Sequence, residues 1–150
     1  MDFQDLTIPC ACLMLSKRRC GKTVLCETIL NKLLDTKKID VVYIFSSTSH
    51  LGDNWRTIPD KYKYEYVDFN KIQKIINKQT DLVKKKSPKV QQIALVFDDV
   101  IENNTDGKSE LLDCFNFLYS KSRHYAISVF LNNQHSKTYV SPTTRSNLDY

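Results

Sequence analysis

The sequence predicts an α/β fold, a mainly parallel sheet with helices on both of its faces. Two observations lead to this prediction. Several strand-sized segments are almost entirely apolar, as parallel strands buried on both faces are. Segments with apolar residues at helical spacing alternate with them, as in chains that cross over from one parallel strand to the next. With 150 residues and no internal repeat, the chain fits a single domain, residues 1–150.

The first half of the chain supplies three predicted strands and one helix. Residues 8–15 form an apolar run of strand length, and residues 22–34 carry apolar side chains on one helical stripe. Residues 41–45, VVYIF, predict a second strand that ends in the polar loop SSTSHLGDNW. Residues 64–67 predict a further, short strand.

The second half continues the alternation. Residues 71–83 repeat apolar side chains at helical spacing and predict a helix, followed by a charged loop. Residues 93–97, IALVF, predict another buried strand, and residues 110–119 another helix. Residues 126–131, AISVFL, predict the last strand. Ligands of such folds bind beyond the carboxyl ends of the strands, which is where we look for a site.

The net charge of +5 is concentrated in one segment. Residues 61–90 hold nine lysines and three acidic residues, a balance of +6, whereas the rest of the chain has 13 basic and 14 acidic residues. This pattern is compatible with a polyanionic partner such as nucleic acid and equally with a solvated, lysine-rich helix face. Charge alone does not choose between them.

Composition argues against membrane-spanning and secreted classes of protein. No apolar run approaches the roughly 20 residues of a transmembrane helix. The N-terminus, MDFQD, lacks the basic start of a secretory signal. Five cysteines without a C-x-x-C pair favour reduced thiols in an intracellular compartment over disulfides or a zinc site.

The segment S-K-R-R-C-G-K-T, residues 16–23, lies between the first predicted strand and the first helix. In a phosphate-binding loop, backbone N–H groups at a helix N-terminus surround the phosphates, a lysine reaches their oxygens and a hydroxyl helps to hold Mg²⁺. Gly21, Lys22 and Thr23 supply these parts, whereas Ser16 stands where the motif G-x-x-x-x-G-K-[ST] has its first glycine. We therefore predict a site for ATP and Mg²⁺ formed by the following residues: Ser16, Lys17, Arg18, Arg19, Cys20, Gly21, Lys22, Thr23 and Val24.

Two adjacent acids, Asp98 and Asp99, follow the strand IALVF. An aspartate at the end of a buried strand is the usual partner of a phosphate loop, where it holds Mg²⁺ through the metal's water shell. A second acid beside it can orient the attacking water. We predict the metal role for Thr23 and Asp98 and the catalytic role for Asp99.

Polar residues flank the last predicted strand. Arg123 precedes it, far from its own subunit's phosphate loop, and fits either an arginine finger that reaches a neighbouring subunit or a surface residue. Asn132, Asn133 and Gln134 follow it, and an amide there can sense the γ-phosphate or position water. The loop residue Trp55 favours packing over contact with the nucleotide.

The motifs occur in a specific order: S-K-R-R-C-G-K-T, IFSSTSHLGDNW, IALVFDD, S-R-H-Y before AISVFL, NNQ after it, and P-T-T-R-S-N. In this order they resemble the DNA-packaging ATPases of the FtsK–HerA superfamily of P-loop NTPases, in particular those of large nucleocytoplasmic DNA viruses. The resemblance extends over about residues 9–147. The phosphate loop is common to many NTPases, whereas the ordered set around the last strand is more specific.

The resemblance implies a motor that hydrolyses ATP as a multimeric ring and drives double-stranded DNA into a capsid. It also implies capsid or portal-vertex proteins as partners, and the host cytoplasm (at the viral assembly site) or the virion as location. Its catalytic set corresponds to Lys22 in the phosphate loop, Asp99 for water activation, Gln134 as the sensor and Arg123 as the arginine finger. Because relatives continue through another strand and further helices, we expect this domain to be incomplete at its C-terminus.

Two other functions remain open on the residues alone. One is a small P-loop kinase of nucleosides or nucleotides, against which the adjacent pair Asp98 and Asp99 argues. The other is a domain that binds nucleotide without hydrolysing it.

Overall fold

The computed structural model of the protein describes residues 5–17, 19–50, 54–99, 108–134 and 141–150. Within these residues, the strands are Ala11–Leu15 (β1), Val41–Phe45 (β2), Lys63–Tyr64 (β3), Ile93–Asp98 (β4) and Ile127–Asn133 (β5). The α-helices are Lys22–Asp35 (α1), Phe69–Lys84 (α2), Lys108–Lys121 (α3) and Pro142–Ser146 (α4). The short helix α4 was not predicted.

The strands form one sheet in the order β1-β5-β4-β2-β3, and every strand pair is parallel. The predicted α/β class is therefore confirmed. In a parallel sheet the carboxyl ends of all strands lie at one edge. The register pairs Asp98 of β4 with Asn132 of β5, and Leu15 of β1 with Asn133. The chemistry-bearing residues after these strands are thereby brought to the same edge.

Helices cover both faces of the sheet. On one face, α1 buries Ile29, Leu30 and Leu33 in a core that includes alternate residues of β2 and β4. On the other face, α2 and α3 contribute side chains such as Ile72 and Phe115 to a second core. Because side chains alternate between the faces of a strand, each buried strand feeds both cores, which explains the continuous apolar runs in the sequence.

Two predicted strands are shorter in the structure than predicted. The first begins at Ala11 instead of residue 8, because Pro9 has no backbone N–H to donate to a ladder. The short strand predicted at residues 64–67 is wrong in position. It lies at Lys63–Tyr64, and the chain then leaves the sheet, so that Tyr66 is 65% exposed.

The helices and the last strand are longer than predicted. The helix α2 begins at Phe69, because the carboxylate of Asp68 accepts a hydrogen bond from the backbone N–H of Lys71 at 3.0 Å and caps the first turn. The last strand begins at Ile127 and extends to Asn133, so two amides expected after it belong to the sheet.

The outer edge of β1 contacts the end of the chain. The backbone N–H of Leu13 donates to the carbonyl of Tyr150 at 3.0 Å, and the N–H of Asp149 donates to the carbonyl of Ala11 at 2.9 Å. The expected incompleteness of the domain stays a prediction. All five cysteines are free thiols, and none of the helices in the described residues is both long and apolar enough to cross a membrane.

Candidate nucleotide-binding site

The predicted phosphate loop connects β1 to α1 at the carboxyl edge of the sheet. Gly21 immediately precedes α1 with φ 79°, in the left-handed region that residues with a Cβ avoid. A Cβ built at Gly21 would contact no atom within 4 Å. The glycine is therefore required by the backbone conformation and not by crowding.

Ser16, the residue in place of the motif's first glycine, has no such requirement. Its backbone does not adopt a positive φ. A serine can thus occupy this position without the strain of a left-handed backbone.

The ammonium group of Lys22 lies over the loop. Its Nζ donates to the backbone carbonyl of Ser16 at 2.9 Å and to that of Lys17 at 3.1 Å. These two bonds hold a positive charge at the N-terminus of α1, where the helix dipole also favours an anion. Arg18 lies outside the described residues, and Arg19 and Cys20, also in the loop, are exposed.

Behind the loop, Thr23 and Asp98, the two residues for which we predicted a metal role, contact each other. The hydroxyl of Thr23 donates to Asp98, with Oγ1 3.1 Å from Oδ2 and 3.3 Å from Oδ1. On the other side of the carboxylate, the amide Nδ2 of Asn132 donates to Oδ1 at 3.1 Å. Asp98 is only 3% exposed and Asn132 is fully buried. This contact of Asn132 was not predicted, although the sequence placed an amide near the end of β5.

The electrostatics of Asp98 reflect its burial. Desolvation raises the pKa of the carboxyl above its usual range, and the charge of Asp99 raises it further, while the bonds from Asn132 and Thr23 oppose the rise. The indole N–H of Trp55 is buried and forms no hydrogen bond with the described residues. Trp55 is fully buried, which agrees with its predicted packing role.

A cleft of about 470 Å³ opens in front of the loop. One wall contains the loop and the start of α1, from Arg19 to Val24. The opposite wall, which sequence reasoning missed, comes from Ser47, Thr48 and Asn54 in the loop after β2. Only the polar composition of that loop and its position beyond a strand signalled it.

The remaining lining residues are Asp99 and Gln134, at the ends of β4 and β5. Asp99 has φ 51°, a conformation that is strained for a residue other than glycine and that occurs often at functional sites. The structure thus brings Lys22, Asp99 and Gln134 to one cleft. In contrast, Arg123 lies at the opposite end of β5, and its guanidinium donates to Asp149 at 2.8 Å.

The buried acid fits a hard divalent cation. Thr23 and Asp98 supply oxygen ligands, which Mg²⁺ prefers. Among the described residues, no positively charged side chain lies within 4.0 Å of Asp98, so no ion pair balances this buried carboxyl group. The same residues contain no cluster of three or more His, Cys, Asp and Glu side chains that would hold a metal by themselves. An ion held by few protein ligands together with phosphates suits this arrangement.

Comparison with known proteins gives structural likeness only. No protein-family model and no curated protein sequence matches the chain. Among solved structures, the chain resembles the pCW3 conjugation coupling protein TcpA in its monomer form with ATPγS, with a TM-score of 0.67 and 15% identity over 94% of this chain. It also resembles B204, the DNA-packaging ATPase from Sulfolobus Turreted Icosahedral Virus, with a TM-score of 0.58 and 18% identity over 96% of this chain.

These likenesses show that the chain has the fold of P-loop ATPases. The identities are too low to carry activity from one protein to the other. The chain spans 47% of TcpA and 74% of B204, so it corresponds to about half of the former.

Proposed function

We propose that this chain is the ATPase domain of a ring-shaped motor that packages double-stranded DNA into viral capsids. The observation that carries the proposal is the contact of Thr23 with Asp98 behind a loop that holds Lys22 over a polar cleft. TcpA and B204, the structural neighbours, are a conjugation coupling protein and a DNA-packaging ATPase. The ordered motifs of the sequence favour packaging, at the viral assembly site in the host cytoplasm or in the virion, with capsid or portal-vertex proteins as partners.

The phosphate loop and the side chains at the ends of β4 and β5 have separate roles in the proposed hydrolysis. The N–H groups at the start of α1 bind the phosphates, and the ammonium of Lys22 leaves the loop carbonyls to bind the β- and γ-phosphate oxygens. Asp99 accepts a proton from the attacking water and orients it, and Gln134 contacts the γ-phosphate or this water. Thr23 and Asp98 would hold Mg²⁺, which when bound would neutralise charge on the phosphates.

Arg123 completes the site only from another subunit. It lies at the amino end of β5, whereas the cleft lies at the carboxyl end. A strand of seven residues separates them, about 20 Å at 3.3 Å per residue. In the proposed ring, Arg123 exchanges Asp149 for the γ-phosphate of the neighbouring cleft.

The function is tested by ATP hydrolysis with Mg²⁺, with and without double-stranded DNA. We expect hydrolysis to be stimulated by DNA and abolished by Lys22→Ala and by Asp99→Asn. The matched controls are Lys84→Ala and Asp35→Asn, which remove exposed charges outside the cleft. Transfer of phosphate to a small acceptor would instead identify a kinase, and ATP binding without turnover in every condition would contradict a motor.

A further inference from the structure

The orientation of α2 is fixed by its buried side. Ile72, Ile75 and Ile76 pack into the core on one face of the sheet. Gln79, only 2% exposed, donates from Nε2 to the carbonyls of Gln91 at 2.7 Å and of Tyr125 at 3.1 Å. The helix therefore cannot rotate about its axis without breaking buried contacts, and its outer side chains keep a constant direction.

Lysines occupy one outer edge of this helix, and we call them the lysine stripe: Lys71, Lys74, Lys78 and Lys85. At 3.6 residues per turn, the four positions fall within an arc of about 60°, and they extend over roughly 21 Å. The last of them is the C-cap residue of α2. The other outer edge is different, because Gln73 donates to Asn77 there at 2.8 Å in a neutral pair. Of the lysines of α2, only Lys84, in its last turn, lies on that other edge.

Within the described part of the chain, the stripe forms no ion pair. Asp81 lies on the same edge, three residues after Lys78 and four before Lys85, yet no carboxylate there is within 4.0 Å of any ammonium group of the stripe, whose net charge is +3 with Asp81 included. The Nζ of Lys71 lies 5.8 Å from the ring centroid of Tyr64. The other three lysines are exposed. Like charges in a row repel one another, and a polyanion that binds along them relieves this repulsion.

The stripe is separate from the nucleotide cleft. Along α2 it extends away from the carboxyl edge of the sheet, and Lys78 borders a depression of about 450 Å³ near the start of β4 together with Lys89 and Asp40. The chain enters β4 beside this depression, at the end of the sheet opposite the phosphate loop. A ligand of the stripe therefore leaves the cleft free for ATP.

We propose that the lysine stripe binds the phosphate backbone of double-stranded DNA. The identity of the polyanion rests on the proposed function, whereas the choice of surface rests on α2 itself. A duplex carries one charge per about 1.7 Å of axis, so about 21 Å of duplex holds roughly a dozen phosphates, of which those on the side turned to the stripe can contact it. Lysines contact phosphates as point charges and without reading the sequence, as a translocating motor requires.

The surface chemistry disfavours a membrane as the partner. An anionic bilayer is bound by helices that combine basic residues with large exposed apolar side chains. Of the exposed large apolar side chains in the described residues, none is on α2. The apolar side of this helix is buried in the core.

The test compares two triple variants of equal net charge. The stripe variant is Lys74→Gln, Lys78→Gln and Lys85→Gln. The control variant is Lys37→Gln, Lys61→Gln and Lys121→Gln, which removes three exposed lysines outside the stripe. Fluorescence anisotropy measures the affinity of each protein for a labelled 30-base-pair duplex over a range of salt concentrations, and thermal melts verify that both variants fold.

The slope of log K against the logarithm of the salt concentration should become shallower by about 0.9 for each lost phosphate contact, close to 3 in total for the stripe variant. At 0.1 M salt, its affinity for the duplex should fall on the order of 100-fold. The control variant should stay near wild type. Equal binding by both variants overturns the proposal, as does stripe-dependent binding of phosphatidylserine vesicles without binding of the duplex. Basal ATP hydrolysis is measured in parallel: if it is absent or indifferent to DNA in wild type, the motor function fails, whereas the anisotropy comparison alone decides the stripe.

Discussion

Replacement of Asn132 by alanine is expected to lower the affinity of the proposed site for Mg²⁺ while the phosphate loop still binds ATP. The amide of Asn132 donates to Oδ1 of Asp98 at 3.1 Å in a fully buried position. A hydrogen bond to a charged group contributes about 1.5–3 kcal/mol. Because each 1.4 kcal/mol is a factor of ten, the Mg²⁺ concentration for half-maximal activity should rise roughly 10- to 100-fold.

In the same Asn132→Ala variant, the pH dependence of ATP hydrolysis should change in a defined direction. The bond from Asn132 lowers the pKa of Asp98, which burial raises. Without it the pKa rises further, and the acid limb of the activity profile moves to higher pH. The maximal rate at saturating Mg²⁺ should change less than the half-saturation concentration, because Asp99 and Gln134 retain their places in the cleft.

Ser128→Ala is the matched control for this prediction. Ser128 lies on the same strand, is fully buried, and its hydroxyl accepts a hydrogen bond from the backbone N–H of Cys10 at 3.1 Å. Its loss weakens β5 to a similar degree but leaves Asp98 untouched. The reasoning is refuted if both variants require the same concentration of Mg²⁺.

Three further predictions concern the loop, the buried acid and the subunit contact. Gly21→Ala should lower the free energy of unfolding by about 1–2 kcal/mol in a urea melt, because alanine disfavours the left-handed backbone. Ser16→Gly should change the free energy of ATP binding by less than about 0.5 kcal/mol. A tenfold gain in ATP affinity would mean that the missing glycine matters. The folded-state pKa of Asp98 is raised, so its ionisation lowers the stability of the fold as the pH rises through that pKa. Asp98→Asn should therefore raise the melting temperature at pH 7, and the two proteins should melt alike in acid below the ordinary carboxyl range. A variant that melts at a lower temperature than wild type at pH 7 would contradict this prediction. If Arg123 acts in trans, Arg123→Ala and Lys22→Ala proteins, each inactive alone, should regain part of the ATPase activity when mixed, and a mixture that exchanges subunits but stays inactive would speak against the role.

Much of the fold was predictable because its signals are local. The apolar runs of β2 and β4 and the helical spacing in α1 report burial that each segment must satisfy wherever it lies. Bounds were less accurate. Pro9 and Asp68 moved the ends of β1 and α2 through a missing N–H and a cap, both of which are readable in retrospect.

The site was predictable in its residue types and not in its contacts. Lys22 and Thr23 were found because the phosphate loop is contiguous, and Asp98 because it ends a buried strand. Asn132 was passed over in favour of Gln134 because its contact with Asp98 depends on the register between β4 and β5, across 34 residues of chain. The wall formed by Ser47 and its neighbours depends likewise on how a loop folds back over the cleft.

The sequence by itself determined the class of fold and the loop, since hydrophobic periodicity and a contiguous motif act within a few residues. The tertiary structure alone decided that Ser16 causes no strain, that Asn132 completes the surroundings of Asp98, and that the lysine stripe lies on an edge of α2 that is turned outward. These three results depend on backbone dihedral angles, strand register and the buried contacts of Gln79. They arise only when distant segments pack together.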